Sequence, residues 1–289
     1  MFGICGHEYH EIEDTLEDIV VRAMKKAGKF LKQHAFDPIP VQWKGKDDPV
    51  TSLDKDAEDI IKRVVRSYGH DIDFICEESG VTRSEDRAYS TVIIDPLDGT
   101  KSYLRKEFDC SVSVAICHED CLSEGFVYDF MRGLLYFAVN NAVIPLPDSM
   151  DYDKTSLRLI MAGGEKEAAN YLPLIKNDKL RIAVDGEGID SLVFPEGSAT
   201  LVRKNGSFAL TMAQVAAGIY DGMVSCNRGK GHIWDAAAGY YLMKRAGMVV
   251  KDMDLKAFNY RKPDNGLVAF RRKDWTYVMP YVKKMLGQA

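Results

Sequence analysis

Residues Thr91 to Thr100 place the tightest limit on this chain. Thr91-Val92-Ile93-Ile94 reads as a buried strand and ends directly in Asp95-Pro96-Leu97-Asp98-Gly99-Thr100. A strand end fixes Asp95. Pro96 stiffens the turn so that Asp98 faces the same side, and Gly99 lets the backbone approach a ligand closely. If a helix starts there, the amides of Gly99, Thr100 and Lys101 point at an anion such as phosphate. Two carboxylates converging on one site repel each other unless cations lie between them. Hard divalent ions with oxygen ligands, magnesium above all, meet that need. The same run also reads as a plain loop with an Asx turn and a helix cap, because such turns are common.

Further acids bear on that choice. Glu77 and Glu78 follow the apolar run Phe74-Ile75-Cys76. Adjacent glutamates at a strand end are usually solvated, but an apolar run before them turns at least one toward the strand's buried edge. Asp235 stands between Trp234 and an alanine-rich segment. It reads as an ordinary N-cap, and a capping aspartate is also a metal ligand when the helix end faces a site.

The rest of the chain reads as α/β, with a mixed first lobe (1–147) and an alternating second lobe (148–289) divided at the polar stretch Pro145 to Asp153. Apolar residues from Ile12 to Leu31 recur at helical spacing, predicting a helix over Glu11 to His34 of about six turns, broken by Pro38 and Pro40. A second helix is predicted from Thr51-Ser52 to Tyr68, before Gly69. Strands are predicted at Phe74 to Cys76, Thr91 to Ile94 and Ser111 to Cys117. Leu122 to Tyr128 and Leu134 to Val139 form a hairpin around Met131 to Gly133. Beyond the division, strands are predicted at Leu157 to Met161, Arg181 to Val184 and Ser191 to Phe194. Helices are predicted at Glu165 to Leu172, Ser207 to Ala217 and, as the last, Ala236 to Ala246.

Composition excludes several classes. The formal net charge is −5 and no long basic stripe appears, so nucleic acid is not an expected partner. No apolar run is long enough to span a membrane, and Met1 to Glu11 lacks the pattern of a secretory signal. The six cysteines show no Cys-x-x-Cys or zinc-like spacing and read as reduced core thiols of a cytoplasmic protein.

Phe74-Ile75-Cys76-Glu77-Glu78-Ser79, Asp95-Pro96-Leu97-Asp98-Gly99-Thr100 and Trp234-Asp235-Ala236-Ala237-Ala238-Gly239 together resemble, in order and separation, the three signatures of the inositol monophosphatase superfamily. Val50-Thr51-Ser52-Leu53-Asp54 is similar to that family's Val-Thr-x-x-Asp element, and the resemblance extends from about Glu11 to Gly247. Cys76 stands where many members have glycine or alanine. The resemblance implies a layered α-β-α-β-α sandwich of the sugar phosphatase type and hydrolysis of a phosphomonoester with two or three magnesium ions per site. Glu77, Asp95 and the Leu97 carbonyl would hold the first ion, and Asp95, Asp98 and Asp235 the second. Glu77 would also touch a third. Asp54 and Thr100 would orient the attacking water, and Gly99 and Thr100 would donate backbone hydrogen bonds to the phosphate. The resemblance further implies lithium sensitivity and a homodimer.

Substrate choice belongs to the second lobe. Gly206-Ser207 opens a helix and reads either as a leaving-group contact, as in the family, or as a plain cap. Arg228 stands where animal-type members carry a glutamate that binds inositol hydroxyls, and a cation favours a second anionic group. Lys101, Lys230 and Arg228 also read as solvated cations. Arg203 to Ser207 and Tyr220 to Gly239 resemble archaeal-type enzymes with fructose-1,6-bisphosphatase and inositol monophosphatase activity. Asp98 to Arg105 and Ile233-Trp234-Asp235 resemble the 3′(2′),5′-bisphosphate nucleotidases, whose Ser-x-x-Lys is broken here by Leu210. Small sugar or polyol phosphates are the expected substrates, 3′-phosphoadenosine 5′-phosphate the alternative, and a non-catalytic interaction protein the rival of another class.

Overall fold

The computed structural model describes residues 14–38, 40–45, 48–69, 71–86, 88–138, 158–161, 179–229 and 231–288. Helix α1 (Leu16–His34) starts at a capping box in which Thr15 and Asp18 satisfy each other's backbone N–H. Leu16, Ile19, Val20, Ala23, Ala27 and Leu31 make its buried stripe. Residues 11–13 of the predicted helix lie outside the described residues. A hairpin of β1 (Val41–Gly45) and β2 (Asp48–Thr51), absent from the sequence reading, leads into α2 (Ser52–Arg66). A second capping box, Thr51 with Asp54, opens α2.

Both helices cover one face of a seven-stranded sheet. Its strands are β3 (Ile72–Cys76), β4 (Gly80–Thr82), β5 (Ser90–Asp98), β6 (Ser111–His118), β7 (Cys121–Asp129), β8 (Leu134–Ala138) and β9 (Arg158–Met161), in the order β4-β3-β5-β6-β7-β8-β9. β3 and β5 are parallel and the other neighbours antiparallel. Strand β5 is buried on both faces: Val92 and Ile94 pack toward α1 and α2, and Ile93 toward the other side. That double burial explains its unbroken apolar run.

The second sheet has β10 (Leu180–Asp185), β11 (Ala199–Arg203), β12 (Gly222–Arg228), β13 (Met248–Lys251) and β14 (Asn265–Arg271), ordered β11-β10-β12-β14-β13. β10 runs parallel to β11 and β12, and the remaining pairs are antiparallel. Between the sheets lie the helices Phe208–Ala216 and Ile233–Arg245. The short helix α3 (Thr100–Leu104) precedes them in the chain, so they are named α4 and α5. Ala209, Met212, Ala237 and Leu242 from these helices share one core with Ile93 and Val127 of the first sheet and Met223 and Leu267 of the second. Helix α6 (Arg272–Met285) closes the outer face through Val278 and Val282. The architecture is the expected α/β sandwich, helices and sheets in alternate layers.

Several local expectations are corrected. Strand 158–161 joins the first sheet, where Met161 pairs with Leu134 of β8. No strand forms at Ser191 to Phe194. Gly186 and Gly188 take φ of 91° and 81°, turn the chain out of the sheet into a 3-10 turn at Ile189–Ser191, and leave Val193 exposed. Helix α5 begins earlier than predicted, at Ile233, and the chain continues past it into β13, β14 and α6. The predicted helix at Glu165 to Leu172 and the polar stretch Pro145 to Asp153 lie outside the described residues. Cys76, Cys110 and Cys117 are buried as expected, but Cys121, the first residue of β7, is exposed. Among the described residues no helix is long and apolar enough to cross a membrane.

Candidate functional site

Asp95 and Asp98 both belong to β5, which continues past Ile94 where a turn was expected. Pro96 has no N–H to offer the ladder, and the register slips there. Asp95 pairs with Ser113 and Asp98 with Ser111, so three steps along β5 match two along β6. Residues three apart on a regular strand face opposite sides. The bulge cancels that difference and brings the two carboxylates to the face shared by Ser113 and Ser111. Asp95 Oδ1 accepts from Leu97 N–H at 3.0 Å, which holds the bulge closed.

Glu77 comes from the neighbouring strand end. Its N–H donates to the Ile94 carbonyl at 3.2 Å, which sets it beside Asp95. The turn that follows rests on α2: Glu78 N–H donates to Glu58 Oε2 at 2.9 Å, and Lys62 Nζ donates to Ser79 Oγ at 2.8 Å. Glu58 and Lys62 are both buried, with 3.9 Å between Lys62 Nζ and Glu58 Oε1. Sequence reading missed them. The available signal was an i,i+4 acid–base pair on the same helical stripe as Ile61 and Val65.

Asp54 is buried at the first turn of α2, where Oδ2 accepts from Thr51 N–H at 2.8 Å and Thr51 Oγ1 at 2.6 Å. Its Oδ1 lies 3.2 Å from Thr100 Oγ1, which is also 3.0 Å from the Leu97 carbonyl. Asp235 is the third residue of α5 instead of its cap, and Oδ2 accepts from His232 N–H at 2.7 Å.

The electrostatics bind these acids into one site. Asp95 is held well above the usual carboxylate range by burial, then by the charges of Glu77, Asp98 and Asp235 and a hydrogen bond with Glu77. Asp98 is raised to about 7 by burial and by Asp235, against the pull of hydrogen bonds from Ser207, Ala209 and Phe208. Burial also raises Asp54. Among the described residues no three His, Cys, Asp or Glu side chains form a preassembled metal cage. One oxygen each of Asp95, Asp98 and Asp235 is engaged by a backbone N–H. The donor set nevertheless fits a hard divalent cation: all oxygen, with Asp95 and Asp98 buried and raised by burial and by neighbouring carboxylate charge that a cation would offset.

Helix α4 and the loop before it reach this site through a clasp. Ser207 Oγ donates to Asp98 Oδ2 at 2.5 Å and accepts from Leu210 N–H at 2.8 Å, and Ala209 N–H donates to the same Asp98 oxygen at 2.7 Å. Ser111 Oγ lies 2.9 Å from Ser207 Oγ. Asp109 holds the loops together: its carbonyl accepts from Ser207 N–H at 2.8 Å, and Lys204 Nζ donates to its Oδ2 at 2.6 Å. A Cβ on Gly99 would stand 2.6 Å from that carbonyl and one on Gly206 would stand 2.2 Å from it, so both positions demand glycine; Gly99 also takes φ of 88°. Lys101 is exposed on α3. Arg228 is exposed at the end of β12 and lines a cavity to which none of Glu77, Asp95, Asp98 and Asp235 contributes.

Residues 13–279 match the inositol monophosphatase family. The Nus factor SuhB of Escherichia coli is 32% identical over 244 residues, covering 81% of this chain and 84% of the relative. The inositol-1-monophosphatase of Mesorhizobium japonicum is 30% identical over 250 residues, covering 83% and 86%. The crystal structure of the extragenic suppressor protein suhB from Bartonella henselae superposes with a TM-score of 0.73 at 24% identity, covering 94% of this chain and 99% of that one. The chain belongs to the inositol monophosphatase family.

Proposed function

We propose that the chain is a magnesium-dependent phosphomonoesterase acting on small sugar or polyol phosphates. The observation that carries this reading is the convergence of Glu77, Asp95, Asp98 and Asp235: Asp95 is raised by its burial and by the charges of the other three. Glu77, Asp95 and the Leu97 carbonyl would hold one ion, and Asp95, Asp98 and Asp235 another. Bound magnesium supplies a water acidified enough to attack phosphorus and a positive charge against the phosphoryl oxygens. Thr100 and Asp54 would then take the water's proton: the Thr100 hydroxyl relays it toward Asp54 Oδ1, and a raised Asp54 suits a proton acceptor. The backbone N–H groups of Gly99 and Thr100 would steady the phosphate, with Lys101 beside them at the rim.

Leaving-group contacts are assigned differently. The Ser207 hydroxyl is committed to Asp98, so Ser207 orders that carboxylate and Gly206 provides the close approach the clasp needs. The relative from M. japonicum is named for inositol-1-phosphate chemistry and the one from E. coli as a Nus factor. Catalysis is favoured over a purely interactive role because Asp54, Glu77, Asp95, Asp98, Thr100 and Asp235 are all retained and such acids are costly to bury together without cations.

The test is phosphate release with magnesium from fructose-1,6-bisphosphate, inositol-1-phosphate and 3′-phosphoadenosine 5′-phosphate, each with the unaltered chain and with Asp95→Asn. Turnover of a sugar or inositol phosphate that vanishes in Asp95→Asn is the expected result. Release that survives the substitution would refute the mechanism, and strong preference for the nucleotide would replace the substrate assignment.

A further inference from the structure

Helix α2 buries three charged side chains at four-residue spacing. Asp54, Glu58 and Lys62 are 1%, 2% and 7% exposed, interleaved with the buried Ala57, Ile61 and Val65. That spacing stacks them along one face, with a rise of about 6 Å per step. Asp54 reaches Thr100 on one side of the carboxylate site. Glu58 and Lys62 need a reason of their own, because a buried ion pair is costly and a well-packed apolar pair of similar size is often at least as stable.

The distances show where the pair directs its bonds. Lys62 Nζ lies 3.9 Å from Glu58 Oε1, too far for a hydrogen bond. The short contacts go to the turn after β3 instead: Glu58 Oε2 accepts from Glu78 N–H at 2.9 Å, and Lys62 Nζ donates to Ser79 Oγ at 2.8 Å. Lys62 Nζ also stands 5.9 Å from the centre of the Phe74 ring on β3. The pair is therefore a two-point tie from α2 to the turn, with only a loose contact inside it.

Glu77 is the residue this tie controls. Cys76 pairs with Gly80, so Glu77, Glu78 and Ser79 form a three-residue tip leading to the short edge strand β4. Such tips open readily unless they are tied down. Here both peptide planes that flank the Glu77 Cα are held: Glu77 N–H donates to the Ile94 carbonyl at 3.2 Å, and Glu78 N–H donates to Glu58. Peptide units are rigid planes, so holding the two of them fixes φ and ψ of Glu77 and the direction in which its carboxylate leaves the backbone. We propose that Glu58 and Lys62 are positioning residues for Glu77, through which α2 aims that carboxylate at the metal site. This role rests on the magnesium site proposed above. One helix then sets two sides of it, Thr100 through Asp54 and Glu77 through Glu58 and Lys62.

The test separates aim from stability on the full chain. Glu58→Leu combined with Lys62→Met removes both ties and keeps the stripe filled, so Tm in EDTA is expected to hold or rise. The magnesium concentration that half-maximally raises Tm is nonetheless expected to increase about tenfold, the loss typical when the support behind a metal ligand is removed. Glu58→Gln keeps an oxygen for the Glu78 N–H and is expected to stay within about twofold of the unaltered chain. Ser79 is exposed, so Ser79→Ala removes the Lys62 tie without opening the core, and a shift of about threefold is expected. In EDTA, hydrogen exchange at the Glu78 N–H is expected to quicken at least about tenfold in the double variant. An unchanged magnesium midpoint in the double variant, or in Ser79→Ala should the double variant not fold, would overturn the positioning role, as would unchanged exchange at Glu78. Magnesium that fails to raise the Tm of the unaltered chain would refute the metal site itself, and the exchange readout, taken without metal, tells that failure apart from failure of the tie.

Discussion

The Ser207 hydroxyl is saturated inside the protein. Its proton goes to Asp98, Leu210 N–H donates to it, and Ser111 supplies the remaining contact. Ser207→Ala therefore removes one donor from a buried carboxylate oxygen, which keeps Ala209 N–H, and strands the Leu210 N–H. It is expected to lower the unfolding free energy by about 1–3 kcal/mol, read as a fall in the urea midpoint at constant slope. An unchanged midpoint would show that Asp98 does not rely on Ser207. Asp98 itself gives a pH signature in chelated protein. Its carboxyl is raised in the folded state to about 7, above the ordinary value of 3.8, so the folded state holds the extra proton between them. That contribution to stability is present below pH 3.8 and is lost as pH rises toward 7. In EDTA, Tm is expected to fall as pH rises through that window, and magnesium is expected to restore more of it at pH 7.5 than at pH 5, because protonated acids bind cations poorly. A chelated Tm that climbs steadily from pH 5 to pH 7.5 would contradict the assignment. Glu77, Asp95, Asp98 and Asp235 were legible in the sequence because each sits at the edge of an apolar run where a charge needs a reason, whereas Asp54 was pointed to only by the resemblance of Val50 to Asp54 to the family's element. Glu58 and Lys62 were not, since a charged pair inside a helix normally faces water, and only tertiary contact with the Glu78-Ser79 turn reveals that they are buried.

At the level of elements, the site depends on two loops that close on Asp109. Gly206→Ala places a methyl 2.2 Å from the Asp109 carbonyl, against backbone that cannot rotate away. The substitution is expected to cost about 1–3 kcal/mol and to weaken magnesium binding, read as a higher magnesium concentration for half-maximal thermal stabilisation. Asp109→Asn keeps the carbonyl and removes the Lys204 ion pair, so it separates the loop's two anchors. A smaller stability loss with the magnesium midpoint nearly unchanged is expected, and an effect equal to that of Gly206→Ala would assign the positioning to the ion pair instead. The helices α1, α2, α4 and α5 were readable from periodicity, as were β5 to β8, because apolar stripes and strong turns punctuate them. Strands β12 and β14 and helix α6 escaped the reading. Gly222-Met223-Val224-Ser225-Cys226-Asn227-Arg228 begins with glycine and ends polar, so its strand character comes from pairing with β10 and β14 and not from local pattern. The bulge at Pro96 escaped for a similar reason. A proline after an apolar strand looks like a stop, and only the Ser111 and Ser113 partners show the ladder resuming at Asp98.

For the whole molecule, the decisive feature is the shared middle layer. Helices α4 and α5 arise in the second half of the sequence, yet Ala209, Met212, Ala237 and Leu242 pack in the same core as Ile93, Ala115 and Val127 of the first sheet. A lobe that owned its own core would unfold alone. Here neither sheet keeps its inner face covered once the middle helices leave, so the lobes lose stability together. Circular dichroism and tryptophan fluorescence are therefore expected to report one coincident urea transition, with Trp43 on β1 and Trp234 and Trp275 on α5 and α6 sampling both halves. Leu242→Ala provides the sharper test. Leu242 is fully buried in that layer, and its truncation is expected to cost about 2–5 kcal/mol. If the layer is shared, both probes move to lower urea by the same amount and stay superimposed. If the truncation splits them, with one signal shifted and the other left in place, the lobes hold independent cores, and the clasp at Asp109 would be a contact between two folding units.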